Sequence, residues 1–474
     1  MRPWWQRAVF YQAYVRSFAD SNADGVGDLR GVIQKLDYLE WLGIECVWLS
    51  PITVSPDRDW GYDVADYAAV QPVLGSLDDL DELIADAGRR GIRIVIDLVP
   101  NHTSDQHTWF VESRSSRDNP RRDWYVWRDP GPQGLPPNNW RSTFGGGPAW
   151  TLDPTTGQMY LHSFLPEQVD LDWWNDEVRR AFDDVFRFWL DRGVAGFRLD
   201  VAHAIVKDRE LRDLPEGSET AVRVDLDETF EVLRRWRSLT DGYDGDRVLL
   251  GETWVMELER LARFYGHGDQ LHLAFNFPFV FSPLEAEAMS GVVAATEAAL
   301  PHEAWPVWTL SNHDVPRFPT RMCDGDPRKV RCALTALLTL RGTPVLYYGD
   351  ELGLGQQDVP TEAIRDIADR DGARTPMPWN GPWTDPWLPV GGGTTVAEQR
   401  DDPGSILSFT RDLIARRRST PDLLDGAYEQ LEAPPGVWAY RRGGSTVVAL
   451  NLSDDAASFG GQELAPWDAV VLDA

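Results

Sequence analysis

DLVPNH (Asp97 to His102), GFRLD (Gly196 to Asp200), GETW (Gly251 to Trp254) and LSNHD (Leu310 to Asp314) stand in this order along the chain. Each places a carboxylate at or just past the end of a short apolar run, the pattern of a buried parallel strand. In a (β/α)8 barrel the C-terminal ends of the strands converge on one face, and that face holds the active site. Asp97 and Asp314 would then meet in one pocket although they lie far apart in sequence. Several carboxylates together with His102 and His313 make a site for acid/base and nucleophilic chemistry. Strand-end acids also cap helices, but capping does not explain the histidine company that these acids keep.

Outward from these segments the chain alternates strand and helix. AVFYQAYV, from Ala8, reads as the first strand. Leu29, Val32, Ile33, Leu36 and Leu39 then recur at helical spacing until Gly43. Cys46 to Leu49 is a second strand. Ser76, with Asp79 three residues on, opens a helix with apolar Leu77, Leu80, Leu83, Ile84 and Ala87, and Gly91 closes it. Ile92 to Leu98 is a third strand. From Thr103 to about Leu165 the rhythm breaks into Pro-, Gly-, Asn- and Trp-rich sequence, the mark of an inserted functional subdomain. Val178, Phe182, Val185, Phe186 and Trp189 restore the helical period. RVLLGE, LHLAFNF, WPVWTL and TPVLYY supply further strands. Ser405 to Arg418 reads as the last helix, and VWAYRR, STVVALNL and AVVLDA as strands of a small terminal domain. The expected fold is α/β: a (β/α)8 TIM barrel over 1–103 and 167–421, an inserted subdomain over 104–166, and a small β-sandwich-like domain over 422–474.

The 474 residues include 75 acidic and 46 basic side chains, a formal net charge of -29. Such a surface repels nucleic acid and anionic membranes, and a neutral substrate suits it better than a phosphorylated one. Three cysteines, Cys46, Cys323 and Cys332, lack metal spacing and imply no disulfide framework. No stretch approaches the ~20 apolar residues of a membrane span, and no signal-peptide pattern is present. A cytoplasmic enzyme is the expectation. Its oligomeric state, homo-oligomer included, is left open. The 22 tryptophans suit a pocket for sugars, whose apolar faces pack on aromatic rings. Asp20, Asn22, Asp24 and Asp28 form D-x-N-x-D-G-x-G-D, alternating oxygen ligands like the start of an EF-hand loop without its twelfth-position Glu. They are candidate ligands of a structural Ca2+ or Mg2+, and an Asx-turn cluster would look the same.

The four acidic segments, with FYQAYVRSFADSNADGVGDLRG, DWGYDVADY, NNWRSTFGGGPAW, LHLAFNFPF and RTPMPW, resemble glycoside hydrolase family 13, the α-amylase family. The α-glucosidase and oligo-1,6-glucosidase branch is the nearest in pattern, and the resemblance runs over nearly the whole chain. It implies a retaining mechanism with Asp200 as nucleophile, Glu252 as acid/base and Asp314 as the carboxylate that grips the sugar beside the reacting carbon. Arg198, on the same strand face as Asp200, would keep the nucleophile ionised. His102 and His313 would donate to sugar hydroxyls. Asp59 and Tyr62, with Arg374 as the arginine matching Asp59, would close the pocket around a terminal glucose and make the enzyme exo-acting. Phe144, Phe164 and Gln168 would line it. The resemblance adds the Val26 carbonyl to the metal ligands. No organic cofactor is implied.

Two departures bear on specificity. QVDLD carries Asp172 where the family has Asn, and Val201 follows the nucleophile, a residue that in this branch goes with α-1,6 linkages. The expected activity is hydrolysis of terminal α-1,4- or α-1,6-linked glucose from short oligosaccharides. The alternative is a transglucosidase, or a sucrose- or trehalose-type isomerase, using the same half-reaction. A non-catalytic scaffold is disfavoured because both Asp200 and Glu252 are present.

Overall fold

Eight parallel strands form one sheet in a computed structural model that describes residues 2–215, 226–381 and 383–473. They are Phe10–Ala13, Cys46–Leu49, Arg93–Leu98, Gly196–Leu199, Val248–Gly251, Leu273–Ala274, Val307–Thr309 and Thr343–Tyr347. Neighbours in the sheet are neighbours in sequence, the eighth strand pairs with the first, and a parallel bridge from Phe275 to Val307 closes the ring. This is the expected barrel.

Period-two alternation divides each strand between two cores. Phe10, Cys46, Trp48, Val95, Val248, Leu250 and Val345 cluster together. Their alternates Tyr11, Val47, Ile94, Ile96, Phe197, Leu249 and Leu346 pack in a larger cluster with the helices. Asp97 shares the parity of Val95, and Trp48 donates its indole N–H to it at 3.2 Å, so the first set lines the barrel interior. Cys46 is a small residue of that interior.

The helices follow their sequence signals. Ser76 and Asp79 form a reciprocal capping box before Leu77–Arg89. The stretch read as one helix up to Gly43 is two, Leu29–Gln34, capped by Asp28, and Leu36–Leu42, ended by Gly43 at φ 95°, because Lys35 at φ -103° and ψ 4° breaks the helical path between them. Asp176–Asp191 buries Val178, Phe182, Val185, Phe186 and Trp189, the five residues of its apolar stripe.

The insertion after the third strand is anchored by an antiparallel ribbon, His102–Ser104 with Gln168–Asp170. Above it lie a short helix, Thr108–Ser113, and a three-stranded sheet of Trp127–Arg128, Met159–Leu161 and Trp150–Leu152. Buried Lys207 ties this anchor to the barrel. Its ammonium reaches the Ala204 carbonyl at 2.8 Å, Asp170 at 3.3 Å, and Asn101 Oδ1. After helix Ile406–Ser419 comes one further helical turn, Pro421–Asp425, absent from the sequence reading. The chain then forms a four-stranded antiparallel sheet and a two-stranded hairpin. No helix among the described residues is long and apolar enough to cross a membrane.

Candidate active site

The third, fourth and fifth strands bring the acidic motifs together. Asp97 and Arg198 are register partners, as are Leu199 and Gly251. The ladder continues one residue further, with Asp200 N–H donating to Leu98 and Glu252 N–H to Leu199, each at 2.9 Å. Asp200 and Glu252 therefore leave adjacent strands side by side.

One buried guanidinium organises the group. Arg198 contacts Asp97 at 2.9 Å, Asp200 at 2.8 Å and Glu252 at 2.9 Å. Tyr62 donates its hydroxyl to Asp97 at 3.0 Å and stacks on His313, with ring centroids 5.2 Å apart. Gln12 faces His313 Nδ1 at 2.8 Å, which leaves the Nε2 proton for Tyr62 and Asp314.

The electrostatics differ from the expectation that Arg198 keeps Asp200 ionised. Burial and the negative charge of Glu252 outweigh Arg198 and raise the Asp200 carboxyl well above the ordinary carboxylate range. Burial likewise pushes Asp97 up to about 6, against the pull of Arg198 and Tyr62. Asp200 and Glu252 lie within hydrogen-bonding reach of each other. Asp314 goes the other way: burial opposes its ionisation, yet His313, Arg370 and Arg374 hold it well below the usual range. Burial keeps His313 and His102 neutral, so the lasting positive charges on Asp314 are the two arginines.

The cavity above these groups has a volume of about 400 Å³. Of the expected site residues, Asp59, Tyr62, His102, Phe144, Phe164, Gln168, Asp200, Glu252 and Asp314 line it. Arg198, His313 and Arg374 lie behind this lining and hold it in place. Phe164 packs against His102 and Phe144, with centroids 5.4 Å apart in both pairs. Gln168 donates to Asp59 at 2.9 Å.

The arginine that pairs with Asp59 is corrected by the structure. Arg374 does not reach Asp59. It is fully buried, donates to the His313 carbonyl at 2.9 Å and meets Asp314 at 3.1 Å and Asp366 at 3.5 Å. Arg370, four residues earlier, makes the clamp: 2.5 Å to Asp59, 3.1 Å to Asp314 and 2.6 Å to Asp366. Arg374 follows a short 3-10 turn, Asp371–Ala373, that sends it inward beneath Asp314. Asp369, at φ 58°, turns Arg370 into the cavity.

Thr143, Val201, His203, Trp254 and Ala368 complete the lining. None stood among the expected site residues, and only Val201 had a sequence signal, its place next to Asp200. Trp254 begins an aromatic array: it lies 4.2 Å from Phe277 and 5.7 Å from Phe281, and Trp254 and Phe281 are 40% and 41% exposed. Asp172 does not line this cavity. It faces a separate one with Trp174 and Lys207, and caps the Trp174 amide at 3.0 Å.

The loop expected to hold a divalent ion is satisfied by its own amides. Asp20 accepts from Asn22 at 3.0 Å, Ala23 at 2.7 Å and Gly25 at 2.9 Å. Asp24 accepts from Val26 at 2.9 Å and from the Asn22 side chain at 3.1 Å. Asp28 accepts from Gly31 at 2.6 Å and from the Ser21 hydroxyl at 2.8 Å. The oxygen donors suit a hard cation in kind. As folded, however, no three acidic, histidine or cysteine side chains among the described residues converge to hold a metal.

Comparison with known proteins agrees with this geometry. The alpha amylase catalytic domain matches residues 12–426. A probable alpha-glucosidase of Rhizobium meliloti (strain 1021) is 40% identical, with 96% of this chain and 91% of that protein aligned. An oligo-1,6-glucosidase of Heyndrickxia coagulans is 37% identical, over 97% and 94%. The crystal structure of an alpha-glucosyl transfer enzyme superposes with a TM-score of 0.94 at 39% identity, covering 99% of each chain.

Proposed function

Because the chain belongs to the α-amylase family of glycoside hydrolases, we propose that it is a retaining, exo-acting α-glucosidase that removes terminal α-linked glucose from short oligosaccharides. The observation that carries this reading is the pairing of Asp200 and Glu252 on Arg198 at the floor of a cavity whose far side is closed by Asp59 and Arg370.

Retention needs one ionised and one protonated carboxyl across the scissile bond. Asp200 and Glu252, side by side on Arg198, are the pair that divides these roles. Glucose entering between the two carboxyls separates them: Glu252 gives its proton to the leaving oxygen as Asp200 attacks the anomeric carbon. In the second step Glu252 takes a proton from water, which releases glucose from Asp200. Asp314, ionised between two arginines, grips the neighbouring hydroxyls. His102 lines the pocket with its Nε2 N–H donating to the Tyr62 carbonyl at 2.9 Å, and burial disfavours its charged form. Arg370 is the one arginine or lysine lining the cavity among the described residues, and three carboxylates neutralise it. A neutral sugar suits such a pocket, and a phosphorylated one does not.

Product time courses on maltose, isomaltose, trehalose and sucrose, each supplied alone, test the reading. Free glucose as the α-anomer is expected from maltose or isomaltose. New oligosaccharides outrunning glucose would favour the second reading, transglucosylation, which draws support from the exposed Trp254–Phe281 array beside the cavity, a face on which an acceptor sugar can stack. A structural Ca2+ or Mg2+ on loop 20–28 would act on stability alone. A cytoplasmic setting is proposed on the three buried free cysteines.

A further inference from the structure

Val201, the residue after Asp200, holds a left-handed backbone with φ 47°. A β-branched residue there is an outlier. Glycine would adopt this turn without strain, yet the chain keeps valine, whose side chain is 5% exposed and lines the sugar cavity. The strained turn has a visible consequence. It aims the Val201 N–H across to the fifth strand, where it donates to Glu252 Oε2 at 2.9 Å. Arg198 places its guanidinium charge beside the same oxygen, as an ion pair also at 2.9 Å. An N–H donor and a guanidinium charge on one oxygen favour negative charge there and leave the other oxygen as the place for a proton. Oε1 receives no N–H from the described residues, and the Asp200 carboxyl lies within hydrogen-bonding reach of Glu252.

We propose that the Val201 backbone N–H is a positioning donor that, together with Arg198, caps Glu252 Oε2 and assigns the acid proton to Oε1. The inference rests on the reading of Glu252 as the acid/base. In the first step the Oε1 proton moves to the glycosidic oxygen as the carbon–oxygen bond breaks and an Asp200 oxygen bonds to the anomeric carbon. In the second, Oε1 takes the proton of the attacking water. Backbone strain held beside reacting atoms fits this use. The other charged or titratable groups around Glu252 are Asp200 and Arg198 on the fourth strand, Asp97 on the third, and His203, whose Nδ1 lies 3.2 Å from the Glu252 carbonyl.

The test replaces Val201 by its α-hydroxy acid, which puts an ester oxygen in place of the N–H and changes nothing else. On the better of maltose and isomaltose, kcat/KM should fall by about tenfold or more. On α-glucosyl fluoride, whose leaving group needs no acid, the loss should stay under about threefold. The basic limb of the disaccharide pH profile should move up, because ionised Glu252 has lost a donor. Equal losses on both substrates with an unmoved limb would overturn the proposal. Glu252→Gln separates the underlying reading: disaccharide turnover that survives it sinks the acid/base assignment itself, whereas loss on the disaccharide alone upholds it whatever the ester variant does. If the ester chain does not fold, Val201→Gly and Val201→Ala decide. Val201→Gly should melt above Val201→Ala, since only glycine is free of strain in the left-handed turn. A melting temperature at or below that of Val201→Ala would overturn the aimed turn.

Discussion

Arg370 pairs with Asp59 at 2.5 Å although 311 residues separate them in sequence. The same guanidinium meets Asp314 and Asp366, so three carboxylates on separate loops are held by one cation. Removing it would leave buried Asp59 without its cation and Asp314 and Asp366 with Arg374 alone, at a cost of about 3–5 kcal/mol. Arg370→Ala should lower the melting temperature and raise KM for disaccharides by about tenfold or more, with longer oligosaccharides becoming relatively better substrates. Arg370→Lys should recover little, since a point charge cannot fork between Asp59 and Asp314. Steady-state kinetics on maltose and maltoheptaose check this; unchanged KM values would remove Arg370 from the sugar site.

The acid limb of the pH profile should belong to Asp200. The nucleophile acts ionised, and burial with Glu252 raises its carboxyl. Activity is therefore lost as pH falls through a value above the ordinary Asp range of about 4. Arg198→Met removes the charge that opposes this rise, so the limb should move further up while kcat falls. Burial lowers both His313 and His102 below the ordinary imidazole value, His313 well below it. His313→Gln should lower kcat and leave the limb in place. A limb that follows His313→Gln would reassign the titration to the imidazole.

Much of this site was legible in the sequence because the barrel sets where strand ends meet. Asp97, Asp200, Glu252 and Asp314 each follow an apolar run, so their convergence follows from the fold. Arg370 was not legible in the same way. It sits in a loop with no periodicity, and its direction depends on the left-handed Asp369 before it and the tight turn after it. Arg374, within the recognisable RTPMPW, drew the assignment that belonged four residues upstream. Trp254 was hidden for another reason. A tryptophan after a strand fits a core as well as a pocket, and only in the structure does Trp254, tilted against Phe277 and Phe281, present a face to solvent.

Loop 20–28 offers a thermodynamic test free of the chemistry. A divalent ion that binds only the folded chain adds about 2.7 kcal/mol of stability at a concentration one hundred times its Kd. Saturating Ca2+ should therefore raise the melting temperature, and chelator should reverse the rise with kcat unchanged. Asp24→Asn should abolish the shift. A melting temperature indifferent to Ca2+, Mg2+ and chelator would leave the loop as the Asx-turn cluster that its hydrogen bonds already form.

Lys207 offers a test of how the insertion is held. Its ammonium is buried between Asp170, Asn101 and the Ala204 carbonyl. Asp170 belongs to the ribbon that carries Gln168, and Gln168 holds Asp59. Asn101 precedes His102 on the other strand of that ribbon and donates to its Nδ1 at 3.0 Å. The cation therefore fixes both edges of the sugar pocket without touching it. Lys207→Met keeps the length of the side chain and removes its charge, leaving Asp170 buried with hydroxyl and amide donors only. Breaking a buried pair from one side costs about 3–5 kcal/mol. The variant should melt lower, and the insertion should be the first region cut by protease. KM should rise more than kcat falls, because the ribbon positions binding groups while Asp200 and Glu252 stand on barrel strands. A variant with normal KM and a protease-resistant insertion would show that the ribbon holds itself, and that the lysine merely fills a polar gap.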